Sequence, residues 1–195
     1  MRVAVLALLV LFVHAVPLLA QEMPKQKMVT FTARVAKVER DDGAAVKGEL
    51  KGDKISVKLS AIMFAKPLRI ADARTAGKYG NEELDTYIAY KRANMEGTRE
   101  ELAAFWTPDE KNVKYELFGD QDFFDTNRQY HLQNPGLTVI GVVFKEAVSF
   151  LLISESKPPG IPAVGVPMVR MDGKLFLTER QNSDPDLAII IASFK

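Results

Sequence analysis

Cysteine is absent from the 195-residue chain, tryptophan occurs once and histidine twice. Without a thiol there is no disulfide, no thiolate nucleophile, no cysteine-ligated zinc and no iron–sulfur cluster. Charge of one sign is also lacking, with 26 Lys and Arg against 25 Asp and Glu. A protein that neutralises several phosphates needs a basic surplus, so nucleic acid is excluded as a partner. Long hydrophobic runs are confined to the start, where Met1-Arg2 leads into an unbroken apolar stretch from Val3 to Val13, followed by His14, Pro17 and Ala20. A charged lead, a short apolar core and a small residue before Gln21 are the marks of a secretory signal peptide over residues 1–20. Ala15 offers a second cleavage point. His14 and Pro17 interrupt the stretch as a membrane span, and no positive stop-transfer cluster follows, so no span remains after cleavage. The reading is of a secreted or periplasmic protein.

Removal of the leader takes Arg2 and His14 with it, leaving 25 charges of each sign and His131 as the one imidazole. A multi-histidine metal site within one chain is thereby excluded, and no motif implies a cofactor. The mature chain still has enough residues for a single core that hides roughly 70% of the surface its unfolded form exposes, without metal or disulfide. Its domain plan is a disordered lead over 21–27 and one domain over 28–195.

Two changes of period divide that domain. Val29, Phe31, Ala33 and Val35 alternate with polar residues, as do Ile55, Val57 and Leu59. With Val46 to Leu50 and the Gly52-Asp53 turn between them, this predicts an N-terminal β-meander, with Asp41-Asp42-Gly43 as a further turn. Lys66-Pro67 and Ala76-Gly77-Lys78-Tyr79-Gly80 predict an irregular connection. The middle is helical. Asn81 caps a helix carrying Leu84, Tyr87, Ile88 and Met95 and stopped by Gly97. Thr98 to Glu101 is a capping box, and Thr107-Pro108-Asp109-Glu110 opens a further helix reaching Phe118. Asp120 to His131 predicts one more helix, ended by Asn134-Pro135-Gly136. Strands then return over Leu137 to Phe144, Val148 to Ile153, Val164 to Met171 and Lys174 to Thr178, with Asp172-Gly173 as a two-residue hairpin turn, and Leu187 to Phe194 is read as a closing strand. Strands, helices and strands again predict an α+β fold of helices packed on a curved antiparallel sheet.

The Trp106-Thr107-Pro108-Asp109-Glu110 cap, the long strands after it and the Met171-Asp172-Gly173-Lys174-Leu175-Phe176-Leu177 hairpin resemble the NTF2-like, cystatin-like α+β cone superfamily over about Asn81 to Phe194. The resemblance implies a cone-shaped cavity. Members of that superfamily include isomerases, dehydratases and non-catalytic binders, so it selects no function, and no catalytic motif of its enzymes aligns here.

The densest polar-aromatic stretch is Asp120 to His131. As a helix it supplies Asp122, Asp125, Tyr130 and His131 as candidates for acid–base chemistry, with first-turn carboxylates that complement the helix dipole as the structural reading. Asp120-x-Asp122 begins like a calcium loop but has Asp125 where glycine is needed and His131 where a bidentate glutamate is needed, so no metal site follows. Ser154-Glu155-Ser156-Lys157 has the Ser-x-x-Lys spacing without its companion motifs. Trp106 and Phe124 are candidates to line a ligand pocket, and the loops Pro158 to Pro162 and Glu179 to Asp186 are candidate contact surfaces. One imidazole, no thiol and a large β-rich core favour an exported, non-enzymatic domain that binds a small apolar ligand or an envelope or secreted protein partner. The alternatives are a cofactor-free lyase or isomerase working through the Asp/His/Tyr set, and a secreted inhibitor or immunity-type protein.

Overall fold

The computed structural model describes residues 23–38, 48–154 and 164–194. Met1 to Glu22, the Asp41-Asp42-Gly43 turn, Val46, most of the Ser154 to Lys157 motif and the Pro158 to Pro162 loop lie outside the described residues. The fold is α+β: five helices packed against a seven-stranded antiparallel open sheet that starts with an N-terminal strand meander.

The strands are β1 (Lys27–Arg34), β2 (Glu49–Lys51), β3 (Lys54–Ile70), β4 (Leu137–Lys145), β5 (Val148–Ser154), β6 (Val164–Met171) and β7 (Lys174–Leu177). They pair in the order β1-β3-β4-β5-β6-β7. β3 is long enough to serve two partners, β1 along its first half and β4 along its second, while β2 joins its first residues. The lead read as disordered includes residues 23–27, where Met23 packs against the core, Gln26 Nε2 donates to Ser60 Oγ at 2.8 Å and Lys27 opens β1.

The helices are α1 (Glu82–Glu96), α2 (Arg99–Ala103), α3 (Lys111–Leu117), α4 (Gln121–Gln133) and α5 (Pro185–Ala192). Their starts follow from side chains that satisfy the first free backbone N–H groups. Asn81 accepts from Leu84 N, Asp120 from Phe123 N and Asp184 from Asp186 N. Thr98 and Glu101 form the reciprocal capping box. Gly97 ends α1, its N–H reaching Ala93 O at 2.7 Å.

α1 lays Leu84, Tyr87, Ile88 and Met95 against Leu68, Val139, Leu151, Met168 and Leu177 on one sheet face. α5 covers the other face, where Leu187 and Ile190 meet Phe31, Ala61, Val143, Phe150 and Leu152. Period-two alternation sorts β5 between them: Leu151 and Ile153 face α1, and Phe150 and Leu152 face α5. Gly165 lets α5 sit close on β6, because a Cβ there would run into the Leu187 side chain. At the β6–β7 hairpin, Asp172 and Gly173 both have positive φ, 50° and 76°, the turn that suits the twist of paired strands.

The structure corrects three expectations. The closing strand over Leu187 to Phe194 is instead helix α5, because the Asp184 cap and Pro185 in its first turn pre-set the backbone, and the apolar run between two buried sheet neighbours then packs as a helix. The irregular connection at Lys66-Pro67 lies inside β3: pairing with β4 resumes at Leu68 after a register shift that absorbs the missing proline N–H. The helix expected from Pro108 begins at Lys111. Thr107 N donates to Leu177 O rather than to the Glu110 carboxylate, and Glu110 reaches across to Glu179 N, so no capping box forms.

Candidate functional site

α1 does not seal its face of the sheet completely. An open cleft of about 600 Å³ lies beside its first two turns, lined by Thr86 and Ala89 of α1, Ala104 and Phe105 after α2, and Leu175 of β7, with Lys78, Gly80, Glu82, Asp85 and Lys174 completing it. Its volume falls in the range of small-molecule sites.

One wall is the segment between β3 and α1, fixed to the helix by polar contacts. Asp85 accepts the backbone N–H of Tyr79 at 2.8 Å and of Gly80 at 3.2 Å. The Arg92 guanidinium donates to the carbonyls of Ala73 and Ala76, and Asp72 holds Arg74 through paired hydrogen bonds. Burial, reinforced by the Asp85 charge, pushes the Tyr79 phenol above its ordinary value, so this wall stays uncharged at that ring. The opposite wall is the β6–β7 hairpin, tied to α1 by Arg170, whose guanidinium donates to the two Glu82 carboxylate oxygens at 3.0 and 2.6 Å. That hydrogen bond holds the Arg170 pKa above its usual range.

The floor follows from the way the chain after α2 covers the end of β7. Leu177 N donates to Phe105 O at 2.8 Å and Thr107 N donates to Leu177 O at 3.2 Å, so residues 105–107 run beside β7. Phe105 is thereby set against Tyr90, edge to face at 5.6 Å between ring centres. Apolar surface, fixed walls and carboxylates already in hydrogen bonds make a receptacle for a small molecule.

The sequence candidates occupy other places. Trp106 lies next to this floor but does not line the cleft: its ring is half-buried, edge-on to Tyr90, with the Lys114 ammonium 4.1 Å from its centre. Its Nε1 is buried and has no hydrogen-bond partner among the described residues. Phe124 is buried with Leu102 and Phe118, and the guanidiniums of Arg128 and Arg99 stand over its ring at 4.6 and 5.9 Å. On α4, Asp122, Asp125 and Tyr130 are exposed, and Asp125 accepts from Gln121. His131 turns inward, its Nδ1 3.4 Å from Nζ of the fully buried Lys91. Tyr130 and His131 meet edge to face at 5.2 Å between ring centres, and none of Asp122, Asp125, Tyr130 and His131 lines the cleft. Among the described residues no three His, Asp or Glu gather in a way that could hold a metal ion, and no helix is long and apolar enough to cross a membrane.

The cleft residues escaped sequence reasoning because they come from three separated segments. The Gly77-Lys78-Tyr79-Gly80 stretch and the Asp172-Gly173 turn read in the sequence only as breaks between elements; that residues at both line one cleft beside α1 is a product of the fold. Comparison with family models, with curated proteins and with solved structures finds no match for this chain.

Proposed function

We propose that this chain is an exported, non-enzymatic binding domain whose cleft between α1 and β7 takes a small, largely apolar ligand. The observation that carries this reading is the cleft itself, about 600 Å³, with Ala89, Ala104, Phe105 and Leu175 inside fixed walls. The placement of the ionisable groups supports binding over catalysis. General acid–base work needs its groups within reach of one bound molecule, and here Asp122 and Asp125 face solvent, while Tyr130 and His131, edge to face at 5.2 Å between ring centres, lie outside the cleft. Export rests on the Met1 to Ala20 pattern. The resemblance to NTF2-like proteins, whose cones also house ligands, is in keeping with this reading and rests on the sequence alone.

Calorimetric titration with 4-phenylbutanol, a neutral aryl-alkyl probe, tests the site. Saturable binding is expected, with Ala89→Phe weakening it by about tenfold or more, since a phenyl ring on α1 fills part of the cleft and tenfold corresponds to about 1.4 kcal/mol. Binding that Ala89→Phe leaves unchanged would place the site elsewhere. N-terminal sequencing of exported protein should find a start near Gln21; intact Met1 in a membrane fraction contradicts the export reading.

A further inference from the structure

The charge pattern of the cleft says what the polar end of its ligand is, and the inference rests on the cleft being the site. Four ionisable side chains line it, Lys78, Glu82, Asp85 and Lys174. Both carboxylates are committed: Asp85 takes two backbone N–H groups of the wall, and Glu82 takes the Arg170 guanidinium on both oxygens. Both are thus engaged in holding the two walls. The lysines differ. Among the described residues Lys78 makes no hydrogen bond or ion pair, and Lys174 Nζ meets the face of Phe176 at 4.8 Å and no carboxylate.

The backbone adds a third group of the same preference. Met171 and Lys174 flank a two-residue turn, so they form the hydrogen-bonded pair that closes the hairpin. In an antiparallel ladder the next residue, Leu175, must then point its N–H and C=O away from β6, toward the outer edge of β7. Leu177, two residues on, has the same orientation, and its outward groups are taken by Phe105 O and Thr107 N. The covering segment stops there. Leu175 lines the cleft and, among the described residues, makes no backbone bond across that edge.

We propose that the cleft binds a small amphipathic carboxylic acid, its apolar body on Ala89, Ala104, Phe105 and Leu175 and its carboxylate toward Lys78 and Lys174. A Lys78 ammonium without a partner among the described residues, a Lys174 ammonium that meets only an aromatic face and an outward N–H at the edge of an apolar floor suit an anion, while both carboxylates of the cleft already carry hydrogen bonds. The lysines are exposed, so the preference is modest and sensitive to salt.

Calorimetry with 4-phenylbutyrate and 4-phenylbutanol, which share one apolar body and differ in charge, tests this at neutral pH. In low salt the acid should bind at least about threefold tighter than the alcohol, an advantage that shrinks near 0.5 M salt, where the screening length falls to about 4 Å. The double variant Lys78→Gln/Lys174→Gln should bring the acid down to the affinity of the alcohol, whereas Lys58→Gln on β3 should leave the difference in place. Equal affinity for the two probes in wild type, or an advantage that survives the double variant, overturns the inference while the apolar cleft stands. If neither probe binds, or both bind unaffected by Ala89→Phe, the cleft is not the site and the inference falls with it.

Discussion

The two faces of the sheet are closed by different means. On the α5 face one short helix places Leu187, Ile189 and Ile190 over β1, β3 and β6 with almost no exposed surface, and a single clamp secures its start. Lys145 Nζ reaches both Asp184 oxygens at 3.0 and 2.8 Å and Asp186 at 2.7 Å. On the α1 face that helix lies on the strands with α4 and α2 packed against it in turn, polar groups such as Lys91, Asn94 and His131 are buried there, and a cleft stays open beside β7. A sealed face stabilises, whereas a face built from several helices and a held loop leaves room for a ligand. Substitutions should therefore separate stability from binding according to the face they touch.

The largest effect is expected at Phe150, fully buried on the α5 face. Phe150→Ala should cost about 3–5 kcal/mol in denaturant titration, and the fraction that remains folded should bind 4-phenylbutanol as wild type does. A lost affinity in folded protein would show that the two faces are coupled.

Next comes the clamp. Lys145→Met leaves the Asp184 and Asp186 carboxylates, both mostly buried, without their cation and should cost about 2–3 kcal/mol. Burial works against the charged form of Lys145, but the hydrogen bonds to Asp184 and Asp186 outweigh it and hold its pKa above 10.5. A folded pKa raised above the unfolded value stabilises fully below the unfolded value and loses that contribution as pH rises through the folded one. Wild type should thus lose stability above pH 10.5, and Lys145→Met should lack that part of the alkaline loss. Identical alkaline profiles would mean that the clamp contributes nothing.

Gly173→Val comes third, at about 1–2 kcal/mol, because a β-branched residue is poorly tolerated at φ 76°. An unchanged denaturation midpoint would show that the hairpin beside the cleft adapts. The smallest effect is expected at the solvent-facing carboxylate: Asp125→Asn should shift stability by no more than about 0.5 kcal/mol and leave probe binding untouched. A marked loss of binding would return α4 to the site.

What the sequence disclosed follows the range of the interactions. Asn81, the Thr98/Glu101 box, Asp120 and Asp172-Gly173 act within four residues of themselves, and each stands where local chemistry puts it. α5 was misread because Leu187, Ile189, Ile190 and Ile191 suit a buried strand as well as a buried helix, and the deciding Asp184-Pro185 pair lies just before the run. β3 passes through Pro67 because pairing with β4, some seventy residues away, outweighs the local break. The cleft was least legible, since its lining depends on residues 78–89, 104–105 and 174–175 meeting in space.

The difference between the faces is tested most directly by a ¹H–¹⁵N correlation spectrum of the protein titrated with 4-phenylbutyrate. Progressive, saturable shifts should appear at the amides of Lys78, Thr86, Ala89, Phe105 and Leu175, with those of Leu187 to Ala192 in α5 unmoved. Shifts concentrated on α5 or on Asp122 to His131 of α4, with the cleft amides silent, would contradict the account.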